Sequence, residues 1–371
     1  MKQIIGLSLL LALALGSSYA TWTSDAPKDV VAGESATVVI DATDKDLQKI
    51  HWESEKLSVD LARKTDAKGD YVWVDAVERK EVVEKPAAPA PADPTTPEDP
   101  AAEAEPEVPG TPDPATPVDP AAPVDPAAPV ADKKIEEKAA SFRGGDAADK
   151  LWADFAPLEA LRELPLPQGV DLAQYGLDAP VAKVTVTRTS GATEIEVGGE
   201  TYGAKDRYVR VNGKIYLLAQ DALRPLEFAA TRLVERRLHP FVEDAIDAVA
   251  VETPDGKPLA FVQTNKDDKE KAFWAKADAP AEEFKSGDAW LGKLLKLNVK
   301  LYVDEKTLTG PLVPVFSYTA TSDGESWKTE ILRVDGETPE FYARSEFDRG
   351  LVSLSRTLAS EVSADLVDLV Q

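Results

Sequence analysis

The chain has 371 residues, enough for two modest domains, with Lys+Arg 42 against Asp+Glu 66 and a formal net charge of −24. A surface this acidic disfavours nucleic acid and anionic lipid headgroups as partners. The chain has no cysteine and two histidines, which excludes disulfides and thiol chemistry, offers no residue for a lipoprotein-type anchor, and leaves zinc almost no ligands.

Met1-Lys2-Gln3 is a short basic start, Ile4 to Leu15 is apolar apart from Gly6 and Ser8, and Ser18-Tyr19-Ala20 is a small-x-small site. Charge, length and cleavage chemistry read as a secretory signal. Ile4 to Trp22 is also just long enough for an uncleaved anchor, with Tyr19 and Trp22 at the far interface. Residues 1–22 are therefore a signal peptide or a membrane anchor. Both readings put the body in the cell envelope, periplasmic, touching the membrane only through this N-terminal segment.

Residues 23–83 read as a first β unit. Val38-Val39-Ile40 opens it, Leu57, Val59 and Leu61 alternate with Ser58 and Asp60, and Lys68-Gly69 turns the chain into Tyr71-Val72-Trp73-Val74. Asp41, Asp44 and Asp46 are closely spaced, but the central Gly and distant Glu of a calcium loop are missing in register, so a solvated turn is expected. Residues 84–132 differ in kind, with fifteen of the 28 prolines, eleven acids against the one base Lys85, and consecutive DPATPV, DPAAPV and DPAAPV hexads. Such a composition buries too little apolar surface to order itself, and the segment is expected to be a disordered, extended spacer or a tolerated loop expansion.

Residues 133–240 read as helix, β-meander and helix. Phe142, Leu151, Trp152, Phe155, Leu158 and Leu161 form apolar faces over residues 133–163, with Gly144-Gly145 as a break between two helices. After YGLDAP at Tyr175, Val184 and Val186 set one strand, Ile195 and Val197 the next, and Asn212-Gly213 joins Tyr208–Val211 to Ile215–Leu218 as the strongest hairpin signal in the chain. A helix follows, with Leu223, Leu226, Ala230, Leu233 and Val234 at helical spacing. On it Arg232 and Arg236 share a face and, with Arg237, form a basic stripe: either a docking surface for an acidic partner or a set of pairs with the chain's own acids.

YGLDAP, the short strands, RYVRVNGKIYLL and the Leu/Arg-rich helix together resemble the bacterial domain-of-unknown-function family numbered 4340, over roughly residues 140–265. The resemblance implies an N-terminal membrane segment and a mostly β envelope domain, in some members encoded beside ABC-type transporter components related to gliding-motility genes. It carries over no catalytic residues, and the long Pro-rich insertion departs from the family's usual pattern.

Residues 241–371 read as a second α+β repeat half. Ala248–Val251, Leu259–Val262 and Ala272–Trp274 mirror the strands from Ile50 to Trp73, a helix spans Ala289 to Leu297, and the hairpin from Pro314 to Val334 mirrors Val181–Val197. The expected fold class is α+β: antiparallel sheets with packed helices, an internal duplication, and the disordered Pro-rich insertion. His51 beside Trp52 and His239 before Pro240 read as structural histidines, the latter at a helix end. No nucleophile elbow, phosphate loop or dinucleotide glycine pattern is present. The expectation is a non-enzymatic cell-envelope protein without catalytic, metal or cofactor residues, an accessory or scaffold of a membrane machine such as an ABC-type transporter. The alternative is a periplasmic ligand- or polymer-binding module.

Overall fold

The computed structural model describes residues 36–83, 133–166, 169 and 171–370. Residues 1–22, expected to be a signal peptide or anchor, and the Pro-rich residues 84–132 lie outside the described residues. Strands take 46% of the described residues and helices 20%, in three antiparallel sheets with five helices. This corrects the helix-packed α+β expectation: the chain is mostly β.

Two stretches account for the correction. Residues expected to start a helix form β5 (Lys133–Arg143), hydrogen-bonded beside β4 (Gly69–Val83). KKIEEKAASFR has no clean period of two, so a long-range partner decides its conformation, not its own pattern. The helix expected through Val234 is cut short. Pro225 lies inside α2 (Gln220–Glu227), Phe228 leaves helical geometry at φ −126 and ψ 36, and α3 (Ala229–Arg232) is a single turn. The remaining helices are α1 (Asp146–Asp154), α4 (Lys285–Leu294) and α5 (Arg356–Leu369).

The first large sheet has the order β5-β4-β3-β2-β8-β9-β10-β11-β7. Its other members are β2 (Leu47–Ser54), β3 (Leu57–Asp66), β7 (Arg162–Leu164), β8 (Ala182–Arg188), β9 (Gly191–Glu200), β10 (Arg207–Val211) and β11 (Lys214–Leu218). The second has the order β14-β13-β12-β16-β17-β18-β19-β15, built from β12 (Ala248–Glu252), β13 (Pro258–Thr264), β14 (Phe273–Lys276), β15 (Leu301–Val303), β16 (Leu312–Ser322), β17 (Glu325–Val334), β18 (Glu340–Ser345) and β19 (Leu351–Ser353). With β5 set aside the two orders coincide strand for strand. In each sheet three strands run outward, a crossover passes through a helix and a short strand, and the chain returns beside its start. The short strand, β7 or β15, becomes the far edge. A two-stranded sheet pairs β1 (Thr37–Ile40) with β6 (Leu158–Ala160).

Alternation explains the cores. Val59 and Leu61, Val184 and Val186, and Ile195 and Val197 are completely buried on one face of the first sheet, joined by Leu151 and Trp152 of α1 and Leu223 and Leu226 of α2. On the second sheet Val249, Phe261, Tyr318 and Ile331 pack with Trp290 of α4 and Val362 of α5, and the Trp290 indole Nε1 donates to the Val362 carbonyl at 2.8 Å. Each such apolar side chain contributes roughly 1.5–3 kcal/mol on burial. Residues 79–138 form a separate unit, in which Arg79 Nε lies 3.4 Å from Glu137 Oε1. Tyr302 of β15 packs against both sheet cores, which places the seam between them.

Candidate functional site at the seam between the sheets

The turn from β3 to β4 reaches across to the second sheet. Lys68 Nζ donates to the Ser326 carbonyl at 2.8 Å, lies 3.1 Å from Glu346 Oε2, and sits 4.7 Å from the centre of the Trp327 ring. Arg349, in the turn between β18 and β19, donates to Asp66 at 2.8 and 3.2 Å and stacks over Tyr71 at 4.4 Å. Its φ of 57 lies in the left-handed region, uncommon without glycine, and these contacts hold it there. The Arg349 hydrogen bond draws the Asp66 carboxyl down to about 2.

Behind this latch lies a buried polar cluster. The last turn of β5 brings in Arg143, 9% exposed, with its guanidinium carbon 3.4 Å from the Phe347 ring centre. Gly144 and Gly145 make that approach sterically feasible. A Cβ at Gly144 would meet Ala148 Cβ at 2.5 Å, and one at Gly145 would lie 3.2 Å from Glu235 Cα. Glu235, 4% exposed, accepts from the Arg236 and Arg237 backbone N–H groups at 2.9 Å each, and from Arg237 Nε and Nη2 at 3.0 and 2.8 Å. Asp348 is completely buried and accepts from the Tyr302 hydroxyl at 3.1 Å. Burial pushes the Asp348 carboxyl up to about 8, with the Tyr302 hydrogen bond and the nearby Arg143 and Arg349 opposing and Glu235 reinforcing. Asp348 Oδ2 and Arg143 Nε and Nη1 have no hydrogen-bond partner among the described residues.

The three arginines singled out in the sequence are not one helical face. Arg232 ends α3 and is exposed, its guanidinium 5.8 Å from the Phe228 ring. Arg236 lies beyond the helix and donates to the Val299 and Lys300 carbonyls at 3.1 and 2.8 Å. Arg237 is tied to Glu235 and, at 2.6 Å, to Asp146. His239 is buried beside Phe241 rather than capping a helix, and burial lowers its pKa below the usual value. His51 Nδ1 meets Asp60 Oδ1 at 2.6 Å on the outer face of the first sheet. Asp44 pairs with Arg63 and Asp46 accepts from Thr43 at 2.6 Å, while among the described residues no group of three or more potential ligands is placed to hold a metal.

Sequence reading missed Asp348, Arg143, Tyr302 and Glu235. SEFDRG reads as a polar turn and EKAASFRGG as a helix end. Neither pattern signals burial, because contacts distant in sequence create it. Beside the cluster opens a groove of about 500 Å³, lined among others by Trp73, Asp75, Ser141, Tyr302, Asp304 and Arg349. Trp73 and Tyr302 meet edge to face at 6.5 Å, and the Trp73 indole donates to Ser141 Oγ at 2.9 Å. Among the described residues no helix is long and apolar enough to cross a membrane.

Comparison with curated proteins and with solved structures finds no match. The family model described as Domain of unknown function (DUF4340) matches residues 124–311, half of the chain. The matched span includes Arg143, Glu235, Arg237 and Tyr302 of the seam and most of the first large sheet. The chain therefore belongs to the family described as Domain of unknown function (DUF4340).

Proposed function

We propose that the chain is a non-enzymatic cell-envelope protein, an accessory or scaffold of a membrane machine such as an ABC-type transporter. One observation carries this reading: the polar groups gathered around the seam are sealed rather than open to a substrate. Asp348, Glu235, His239 and Arg143 are 0, 4, 7 and 9% exposed and sit within the seam. A general acid or base must come within about 3 Å of a substrate proton, and no substrate reaches a fully buried Asp348. The charges instead fix one sheet against the other, as a rigid scaffold requires. The signal-like N-terminus supports the envelope address. Arg232 and the half-exposed Phe228 offer a docking point for an acidic partner surface. Cross-linking in intact cells, followed by affinity capture through a C-terminal tag, is expected to recover membrane permease subunits. Recovery of the chain alone, or its fractionation with cytosol, would overturn the proposal.

The groove favours a second reading, a periplasmic ligand- or polymer-binding module. Aromatic rings beside a few polar groups are the usual lining of a ligand site. On this reading an oligosaccharide or peptide panel raises the thermal midpoint, and Trp73→Ala abolishes the rise. No shift with any compound leaves the scaffold reading in place.

A further inference from the structure

Three cavities have acids in their linings, and they differ in whether those acids are paired. In a cavity of about 600 Å³ on the first sheet, Glu194 pairs with Lys183 and Glu196 with Arg210. In a cavity of about 490 Å³ on the second sheet, Glu305 and Glu330 pair with Arg344, and Glu346 with Lys68. The groove of about 500 Å³ beside the seam is the different one. Its Asp75 and Asp304 are exposed and have no ion pair among the described residues. An unpaired acid is ordinary in a chain of net charge −24, but the surroundings of these two are not.

The first sheet supplies Trp73 and Asp75 of β4 to the groove, and the second supplies Tyr302 of β15 and Asp304 just after it. The side-chain donors of the lining are already spent. Trp73 Nε1 donates to Ser141 Oγ at 2.9 Å, the Ser141 hydroxyl donates to Asp75, and the Tyr302 hydroxyl donates to Asp348 at 3.1 Å. Arg349 gives Nε and Nη2 to Asp66 and Nη1 to the Phe347 carbonyl, so its charge is compensated. Carboxylate oxygens and ring faces are left. A sugar hydroxyl asks for donors as well as acceptors and an anion asks for donors, whereas an ammonium brings three donors and asks for none. Its charge is also drawn to an aromatic face. Trp73 already attracts one such group: the exposed Lys64, without an ion pair among the described residues, holds its Nζ 4.6 Å from the ring centre.

We propose that the groove binds a small linear amine with two or more ammonium groups, one held by Asp75 and one by Asp304, its alkyl spacer lying on the Trp73 and Tyr302 rings and Lys64 displaced. The groove's volume falls within the roughly 300–1,000 Å³ usual for small-molecule sites. Ala76, Ala139, Ala140 and Val303 complete a lining of small apolar groups that suits a methylene chain. The inference rests on the ligand-binding reading of this groove and names the class of its ligand.

Titration calorimetry of the full chain with spermidine tests it, with maltotriose as a neutral probe. Spermidine is expected to bind at one site per chain, more weakly as salt is added, and maltotriose not at all. Asp75→Asn and Asp304→Asn keep side-chain size and should each weaken binding about tenfold, since hydrogen bonds to charged groups are the stronger ones. The two positions lie in different sheets, so misfolding of one variant leaves the other as a test. Glu55→Gln with Asp267→Asn, which alters exposed acids outside the lining, should leave the affinity unchanged. Lys64→Ala should tighten binding about threefold by removing the resident ammonium, and the exposed control Lys56→Ala should not. Many sites per chain, or equal weakening in the control acids, would mean that the amine only condenses on an acidic surface, and the proposal would fall. Unchanged affinity in Lys64→Ala would remove the amine from Trp73 and overturn it as well. Binding of maltotriose but not spermidine, lost in Trp73→Ala, would overturn the amine class and keep the groove as a ligand site. Binding of neither probe would overturn both.

Discussion

Arg232 and Arg237 lie in one short segment of the seam and have opposite roles. Arg237 compensates Glu235, a carboxylate only 4% exposed, through two side-chain hydrogen bonds. Arg237→Glu should destabilise the fold by about 2 kcal/mol or more, because it leaves a buried charge facing a like one. Arg232 is exposed and rests on Phe228, so Arg232→Glu should change stability by less than about 0.5 kcal/mol while weakening capture of a membrane-bound partner. Denaturant unfolding of the two variants checks the first contrast, and the cross-linking capture checks the second. Equal stability losses would mean that Arg232 also has an internal partner. The sequence identified these arginines as unusual in an acidic chain. It did not separate them, because Asp146, which holds Arg237, and the Val299 and Lys300 carbonyls, which hold the neighbouring Arg236, are brought in by the fold from far along the chain.

Strands were legible at the element scale wherever one face alternated. β8, β10 and β16 bury alternate side chains, as do Ile195–Val197 of β9 and Trp327–Ile331 of β17, and a period of two is visible in a single sequence. β5 was not legible, since an edge strand with six charged or small residues in a row takes its conformation from its neighbour. The helix after β11 was overextended in the reading because apolar spacing continues past Phe228 while the backbone does not. The turn between β10 and β11 was the most secure element. Val211 pairs with Lys214 across Asn212 at φ 49 and Gly213 at φ 79, the two positive values of a type I′ turn. A Cβ at Gly213 would meet nothing within 4 Å, so a substitution there is opposed by backbone conformation alone. Gly213→Val should therefore cost about 1 kcal/mol or more, and Gly213→Asn distinctly less, since Asn tolerates the left-handed region. Equal midpoints for the two variants in thermal unfolding would show that the turn can relax without breaking the hairpin.

The whole molecule depends on a seam whose two key carboxyls respond to pH in opposite directions. Asp66, held by Arg349, has its folded pKa lowered to about 2, so its contribution is present above the unfolded carboxylate value of about 4 and is lost as pH falls through about 2. Asp348 is the reverse case. Its folded pKa is raised to about 8, so between about 4 and 8 the folded state holds a proton that the unfolded chain has released. Stability must then fall as pH rises through that window, with a slope of up to about 1.4 kcal/mol per pH unit for one proton. The groups facing Asp348 are Tyr302 from β15, Arg143 from β5, Glu235 from the segment after α3, and Arg349 from its own turn. Of these, the arginines blunt the slope by favouring the charged form. Asp348→Asn keeps an acceptor for the Tyr302 hydroxyl and cannot ionise, so its unfolding free energy should be flat where the natural chain's declines. The natural chain and the variant should converge below about pH 4, where both carry a neutral group at this position. Denaturant unfolding from pH 3 to 9 measures both curves. A decline that persists in the variant would place the proton elsewhere in the molecule, and a flat curve for the natural chain would mean that Arg143 already holds Asp348 ionised.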